Sequence, residues 1–464
     1  MNIILLSGGS GKRLWPLSND IRSKQFIKIF KKEDGEYESM VQRIYGQIKA
    51  VDPNATVTIA TSKSQVSAIH NQLGTEVGIS VEPCRRDTFA AIALATAYLH
   101  DVQGVDESEA VVVCPVDPYV EEGYFKTLAA MCDAAQKGSE NLVLMGIEPT
   151  YPSEKYGYIK PTTSPDGKQS WGFTEKPNKE KAEEYIKEGA LWNGGVFAYK
   201  LSYVLEKSKE LLGTADYQTL FSTYDTLKKI SFDYAVVEAE KSINVINYSG
   251  TWKDLGTWNT LTEAMEDPII GDGRCNETCS NIHIINELGI PVLGMGLHDV
   301  VISASPEGIL VSDKEQSSYI KPFVDDIDQQ IMFAEKSWGS YRVLDVEEGS
   351  LTVKVTLNPN NKMNYHSHEH RDEVWTVIAG NGKTIVDGME QSVKTGDVIT
   401  MSAGCKHTVI AGDKGLQLIE VQLGNEISVA DKHKYELYIS VTAEDSEKAT
   451  AIEEQIKADL EKRM

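Results

Sequence analysis

The chain has 464 residues, 41% apolar and 25% charged, with 36 Gly and 15 Pro; at about 150 residues per domain it holds about three domains or fewer, and its composition excludes a disordered or collagen-like chain. With 46 Lys and Arg against 69 Asp and Glu the formal charge is −23, a field that repels a polyanion, so nucleic acid is not an expected partner. Ile3-Ile4-Leu5-Leu6 is too short for a signal h-region and no later run approaches a membrane span, so the expectation is a soluble, cytoplasmic protein without a membrane partner.

Short apolar runs at Ile3–Leu6, Val57–Ala60, Val111–Cys114 and Leu142–Gly146 read as strands, with helical patterns near 39–50, 88–99 and 124–137 between them. Over 1–265 this alternation predicts an α/β domain whose mostly parallel sheet is covered on both faces, with ligands beyond the C-terminal ends of its strands. From 266 to 330, β-like pieces at Ile282–Ile285, Val300–Ile302 and Gly308–Val311 predict a β-rich connector. From 335 to 440, β-type runs between turn signals at Gly349, Gly380-Asn381-Gly382, Asp387-Gly388, Gly396 and Gly412-Asp413 predict an antiparallel sandwich or barrel. The tail at 442–464 reads as a charged helix whose stripe of Ile452, Ile456 and Leu460 either docks on its own β domain or makes a dimer contact; a homodimer is the expected assembly. Six cysteines without a CxxC pair read as reduced, mostly buried thiols.

Directly after the first strand comes Ser7-Gly8-Gly9-Ser10-Gly11-Lys12-Arg13-Leu14-Trp15-Pro16. Glycines there let backbone N–H groups approach a phosphate or a base closely. The loop is neither a Walker loop, which needs Gly where Leu6 stands and Ser or Thr at Arg13, nor a dinucleotide fingerprint, which needs Gly at Leu14. It is either a phosphate loop with two cations or a tight strand-to-helix turn.

Gly8-Gly9-Ser10-Gly11-Lys12-Arg13-Leu14-Trp15-Pro16-Leu17-Ser18, followed by Lys24-Gln25-Phe26, resembles the opening of the sugar-1-phosphate nucleotidyltransferases, specifically the mannose-1-phosphate guanylyltransferases of the long bacterial type that carry a C-terminal cupin domain. Further matches follow in the family's order: Glu82-Pro83 with Arg86-Asp87-Thr88, Pro115-Val116-Asp117, Tyr156-Gly157-Tyr158-Ile159, Phe173-Thr174-Glu175-Lys176-Pro177, Trp192 to Phe197, Asp233-Tyr234-Ala235-Val236 and Trp252 to Trp258. The resemblance implies a Rossmann-like mixed sheet with helices on both faces, then the connector, then an all-β cupin barrel.

It also implies a reaction: an oxygen of a sugar-1-phosphate attacks the α-phosphorus of GTP in line and pyrophosphate leaves, a step limited by charge repulsion and positioning. Gly8, Gly9, Gly11, Lys12 and Arg13 would hold the nucleotide, with Arg13 and Lys24 countering the charge that develops on the phosphates. Asp117 and Asp254, each after a β-type run, would bind Mg²⁺, although either alone reads more readily as a turn or cap residue. Lys176 would grip the phosphate of the sugar phosphate, with Gly157, Glu175 and Asn193 completing the sugar cleft; the plain alternative for Glu-Lys-Pro is a charged turn. Lys12, Asp87, Val116 and Pro118 depart from the family pattern around the nucleotide and leave open another pairing of NTP and sugar-1-phosphate.

Three histidines crowd into His366-Ser367-His368-Glu369-His370, with Glu373 after them and His407 farther on. In a strand, residues i and i+2 share a face. The spacing resembles the two cupin motifs and implies His366, His368, Glu373 and His407 as ligands of Zn, Fe, Mn, Co or Ni. In two-function members the cupin interconverts fructose-6-phosphate and mannose-6-phosphate, and Arg371 matches the family's Arg there, a candidate for binding phosphate or an enediolate. The segment after Gly424 departs from the family, so the cupin is either an isomerase or a metal-binding domain for assembly or sensing.

Overall fold

Asn2–Ser7, with Ile3, Ile4 and Leu5 fully buried, is the central strand of a nine-stranded mixed sheet in the computed structural model. It pairs in parallel with Thr56–Ser62 on one side and Ala110–Pro115 on the other, and Thr56–Ser62 pairs in parallel with Gly78–Glu82. Beyond Ala110–Pro115 the sheet turns antiparallel through Leu191–Lys200, which also pairs with Leu142–Ile147 and Gly157–Thr163. The structure describes residues 1–8, 12–19, 21–163, 169–327, 330–428 and 430–436. Gly9, Gly11 and the helix expected at 442–464 therefore lie outside the described residues.

Helices Met40–Val51 and Glu122–Lys137 pack on one face and Asp87–Asp101 and Leu201–Leu212 on the other, so both faces of the sheet are buried. Each buried Val, Ile, Leu or Phe contributes about 1.5–3 kcal/mol there. The first helix starts where the sequence places it because Ser39 closes a capping box: its hydroxyl accepts from Gln42 N at 3.3 Å and its own N–H donates to Gln42 Oε1 at 3.1 Å. The parallel strands all run toward one edge, so Ser7, Ser62, Glu82 and Pro115 end together.

The connector is more regular than its sequence suggests. Ile269 pairs in parallel with Ile284 and Ile284 with Ile302, while Gly273–Cys275 pairs in parallel with Val292–Gly294 and Ser280 with His298. This is a short parallel β-helix around Ile282, Ile284 and Ile302, finished by the antiparallel strand Gly308–Asp313. It is fastened to the chain that follows the glycine loop. Arg22, 8% exposed, makes two bonds of 2.8 Å to Glu287; Asn19 donates to Glu307 at 2.8 Å; Ser305 Oγ donates to Pro16 O at 2.6 Å. A Cβ on Gly308 would lie 2.5 Å from the Trp15 ring, so only glycine admits that contact. Met1–Ser337 forms one compact unit and the chain from Trp338 a second.

The second unit is antiparallel throughout. Gly339–Glu347, Ser350–Leu357 and His407–Leu423 pair in order, and Asp372–Val386 pairs with His407–Leu423, Met389–Lys394 and Val398–Met401. Two of these strands are long and bulged at Val377/Ala379 and Gly380/Gly382, which bends the sheet around a line of buried residues that includes Trp375, Val377, Leu416 and Leu418. All six cysteines are free as expected, but only Cys114 is fully buried; the other five are half-buried.

Candidate functional site

Two pockets open at the edge where the parallel strands end. The larger, about 400 Å³, is lined by Gly8, Gln65, Glu82, Cys84, Asp87 and Lys229 among others. Glu82 ends its strand inside it and accepts a bond from Tyr224 OH at 2.8 Å. Burial raises the Glu82 carboxyl above its ordinary range, opposed by that bond and by Arg85. Asp87 opens the helix Asp87–Asp101 at φ +66°, a left-handed conformation that Asp tolerates better than most residues.

The second pocket, about 210 Å³, is lined by Asp117, Gly157, Glu175, Asn193, Asp233 and Asp254, with Tyr156 and Trp252 in the wall. Asp117 and Pro115 line both pockets. Gly157 has to be glycine: a Cβ there would meet Glu175 Oε2 at 2.6 Å and the Phe173 ring at 2.7 Å. Asn193, nine-tenths buried, donates to Asp233 Oδ1 at 2.6 Å. Burial, then the Glu175 charge, push the Asp233 carboxyl up to about 6. Asp233 begins a five-residue π-helical turn, Asp233–Val237, an irregularity frequent at functional sites.

Where the pockets meet, the Lys24 ammonium sits 2.8 Å from Asp117 and 3.5 Å from Asp254. Burial would lower Lys24, but the two carboxylates outweigh it and hold the group above its ordinary value. Asp254 Oδ1, the oxygen 3.5 Å from Lys24, is buried without a hydrogen bond, and the two carboxylates together suit Mg²⁺. A Cβ on Gly256 would lie 3.1 Å from Asp254 Oδ1 and 3.4 Å from Arg13 Nη1, so the Arg13 guanidinium stands beside the same carboxylate. Lys12 is turned elsewhere and pairs with Asp325 at 3.2 Å. Lys176, in a left-handed conformation at φ +44°, pairs with Glu175 at 2.6 Å and stays exposed outside the lining of the sugar-sized pocket.

In the second unit His366, His368, Glu373 and His407 are all buried, and their ligand atoms lie within 4.8 Å of one another. Each imidazole is held through Nδ1 to a backbone carbonyl: His366 to Asn364 at 2.6 Å, His407 to Cys405 at 3.0 Å, and His368 to Asp431. A carbonyl accepts only, so Nδ1 is the donor in each of these bonds and Nε2 is the nitrogen turned to the cluster. Two of those Nε2 atoms face the Glu373 carboxylate, His368 at 3.0 Å and His407 at 3.2 Å, and His407 Nε2 is buried without a hydrogen bond. Three imidazole nitrogens oriented through backbone carbonyls and one buried carboxylate fit a divalent metal. Arg371 is committed to Glu373 at 3.3 Å and Ser428 O at 2.8 Å, and one of its terminal nitrogens lies 3.2 Å from His368 Nε2.

Residues 2–269 match the model of the family described as nucleotidyl transferase. The chain belongs to that family. Residues 325–436 of this transferase match a second model, described as mannose-6-phosphate isomerase C-terminal. The transferase is 27% identical to the mannose-1-phosphate guanylyltransferase of Escherichia coli K12, covering 92% of this chain and 96% of that protein. It is also 27% identical to the alginate biosynthesis protein AlgA of Pseudomonas aeruginosa, covering 95% and 97%. The solved structure described as mannose-1-phosphate geranyltransferase from Thermus thermophilus shares 28% identity and a TM-score of 0.58 over 70% of this chain and 98% of that one. The expected mixed nucleotidyltransferase sheet followed by a β-rich domain is therefore the fold of this enzyme.

Of the residues expected in the transferase site, the fold brings together Gly8, Arg13, Lys24, Asp117, Gly157, Glu175, Asn193 and Asp254, along the two pockets and their junction. It leaves Lys12 and Lys176 on carboxylate partners. Sequence reasoning missed Asp233, Tyr156 and Trp252 as pocket residues. All three sat in motifs already noted, but none carried a chemical role there.

Proposed function

We propose that this nucleotidyl transferase is a mannose-1-phosphate guanylyltransferase, forming GDP-mannose and pyrophosphate from GTP and mannose-1-phosphate. The observation that carries the reading is Asp117, which lines both the base-sized and the sugar-sized pocket beside Lys24 and Asp254, so that two substrates in those pockets meet at one set of charges.

The larger pocket supports guanine. A carboxylate accepts, and guanine offers two adjacent donors, N1–H and the 2-amino group; Glu82 supplies such an acceptor within the pocket. Adenine has neither donor in that arrangement, and a site built to hydrogen-bond a donor rejects a base that lacks it. Arg13 beside Asp254 counters charge on the phosphates as the sugar-phosphate oxygen attacks the α-phosphorus. Asp117 and Asp254 would hold Mg²⁺, which when bound neutralises the phosphate oxygens of both substrates. Glu175 and Asn193 orient the sugar hydroxyls, and Lys176, swinging off Glu175, meets the sugar's phosphate.

The cupin cluster supports a second activity, interconversion of fructose-6-phosphate and mannose-6-phosphate at a divalent transition metal held by His366, His368, Glu373 and His407. Pyrophosphate release across all four NTPs and a panel of sugar-1-phosphates tests the first activity. GTP with mannose-1-phosphate is expected to be fastest, and Glu82→Gln to narrow the preference for GTP over ATP by about tenfold or more. A faster pairing of another base and sugar would replace this assignment. Coupled assay of fructose-6-phosphate turnover tests the second activity.

A further inference from the structure

The chain that closes over the metal cluster brings lysines that neither activity has yet used. His366 lies opposite Lys434 and Ser367 opposite His433 in an antiparallel pair, and Tyr435 N donates to Tyr365 O at 2.9 Å. Lys432 comes directly before this short strand and His368 directly after its partner, so the two follow the last pair on either side. Opposed residues share a face. Lys432 and Lys434 therefore stand on the face of His366 and His368, while Ser367 and Tyr435 occupy the other, their hydroxyls 3.1 Å apart. The strand is fixed in place by Asp431, whose carboxylate accepts from Glu369 N at 2.8 Å and His370 N at 3.1 Å. Lys432 is half-buried and Lys434 exposed.

Electrostatics agree with that placement. Burial is the largest influence on the Lys432 ammonium and holds it below its ordinary value, with Glu420 and Glu373 compensating only in part. Glu420 faces inward from the strand His407–Leu423, opposite Trp375. Among the described residues Lys432 makes no hydrogen bond or ion pair, whereas Arg371 is fully committed. Arg371, Lys432 and Lys434 balance Glu373, Glu420 and Asp431 in formal charge, and a divalent ion on the His/Glu cluster would make these surroundings net positive in a chain of net charge −23. A focused positive field with an unpartnered ammonium at its wall selects a small anion.

We propose that Lys432, supported by Lys434 at the rim, forms the anion seat of the cupin chamber and takes the phosphate of a sugar phosphomonoester whose hydroxyl or carbonyl oxygens face the metal cluster. This assigns to Lys432 the phosphate contact that the family resemblance offered to Arg371. The proposal rests on the metal-cluster reading of the second unit but not on isomerase turnover, since a binding or sensing cupin would use the same seat.

Calorimetric titration of the zinc-loaded full chain with fructose-6-phosphate, fructose and inorganic phosphate tests it, on wild type, Lys432→Gln, Lys432→Arg and Lys434→Gln. Loss of one charge-assisted contact should weaken fructose-6-phosphate binding by about tenfold or more in Lys432→Gln and about two- to threefold in Lys434→Gln, with Lys432→Arg within about threefold of wild type. Fructose should bind none of the proteins measurably, and inorganic phosphate more weakly than the sugar ester. Zinc content and melting temperature should not change, which separates a lost ligand contact from a lost fold. Equal fructose-6-phosphate affinity in wild type and Lys432→Gln overturns the proposal, as does a wild type that binds inorganic phosphate but not the ester. Turnover measured in parallel judges isomerisation separately: affinity that depends on Lys432 without turnover keeps the seat and removes the isomerase.

Discussion

Lys12 Nζ and Asp325 Oδ1 stand 3.2 Å apart, so a carboxylate from the short helix Lys321–Asp325 already holds a cation of the glycine loop. A triphosphate received by Lys12 would share or displace that partner. An exposed ion pair of this kind is worth about 0–1 kcal/mol, so Asp325→Ala should lower the KM for GTP by about two- to fivefold and leave the KM for mannose-1-phosphate unchanged. In a Lys12→Ala background the effect should disappear, because the pair no longer exists to be broken. Steady-state kinetics on the four proteins of that cycle check both statements.

Asp254→Asn keeps the shape of the junction but removes a charge beside Lys24 and Arg13. Guanylyl transfer should fall by about 10²-fold or more, mostly in kcat, and the Mg²⁺ concentration for half-maximal rate should rise. Arg13→Ala should cost a similar factor with little change in the Mg²⁺ requirement. Initial rates over a Mg²⁺ titration distinguish the two.

Asp233 gives a pH-dependent stability effect with a definite sign. Its carboxyl is pushed up to about 6 from an ordinary 3.8 by burial and then by Glu175, so the folded protein binds the proton more tightly than the unfolded chain. Stability from this group is greatest below pH 3.8 and is lost as pH rises through about 6. Asp233→Asn should therefore melt higher than wild type at pH 8, with the gain shrinking toward zero near pH 4. The same variant should use mannose-1-phosphate less efficiently. Thermal melts across that range, beside kinetics at pH 8, check the trade.

His368→Ala removes a buried imidazole from the four-ligand cluster and should lower bound transition metal from about one per chain to a small fraction, since one lost ligand opens the site. Guanylyl transfer, carried by residues of the first unit, should persist. Elemental analysis of purified wild type and variant, with both assays, decides it; a metal-free wild type would defeat the ligand set.

Much of the transferase fold was legible because its strands are continuous apolar runs, and Ile3–Leu6 and Val111–Cys114 announce a doubly covered sheet without tertiary information. The buried His/Glu cluster was legible because two of its members, His366 and His368, sit in one five-residue stretch with Glu373 close behind. What escaped has a common physical cause. The β-helix depends on Ile269, Ile284 and Ile302 stacking across irregular intervals that no local period reveals. Lys12 and Lys176 looked like free cations because Asp325 is over three hundred residues away and Glu175 is an adjacent residue whose orientation depends on the backbone's left-handed turn. Lys432 gained its place only from the pairing register.

The Trp15–Gly308, Pro16–Ser305, Asn19–Glu307 and Arg22–Glu287 contacts decide how this enzyme can be taken apart. The nucleotidyl transferase match stops at 269, but a fragment cut there would strip the partners from the segment that follows the glycine-rich sequence and leave the Arg22 guanidinium without its carboxylate. The smallest portable transferase module ends near Ser337. Grafting a different β domain onto this enzyme, or this transferase onto another scaffold, calls for a junction there.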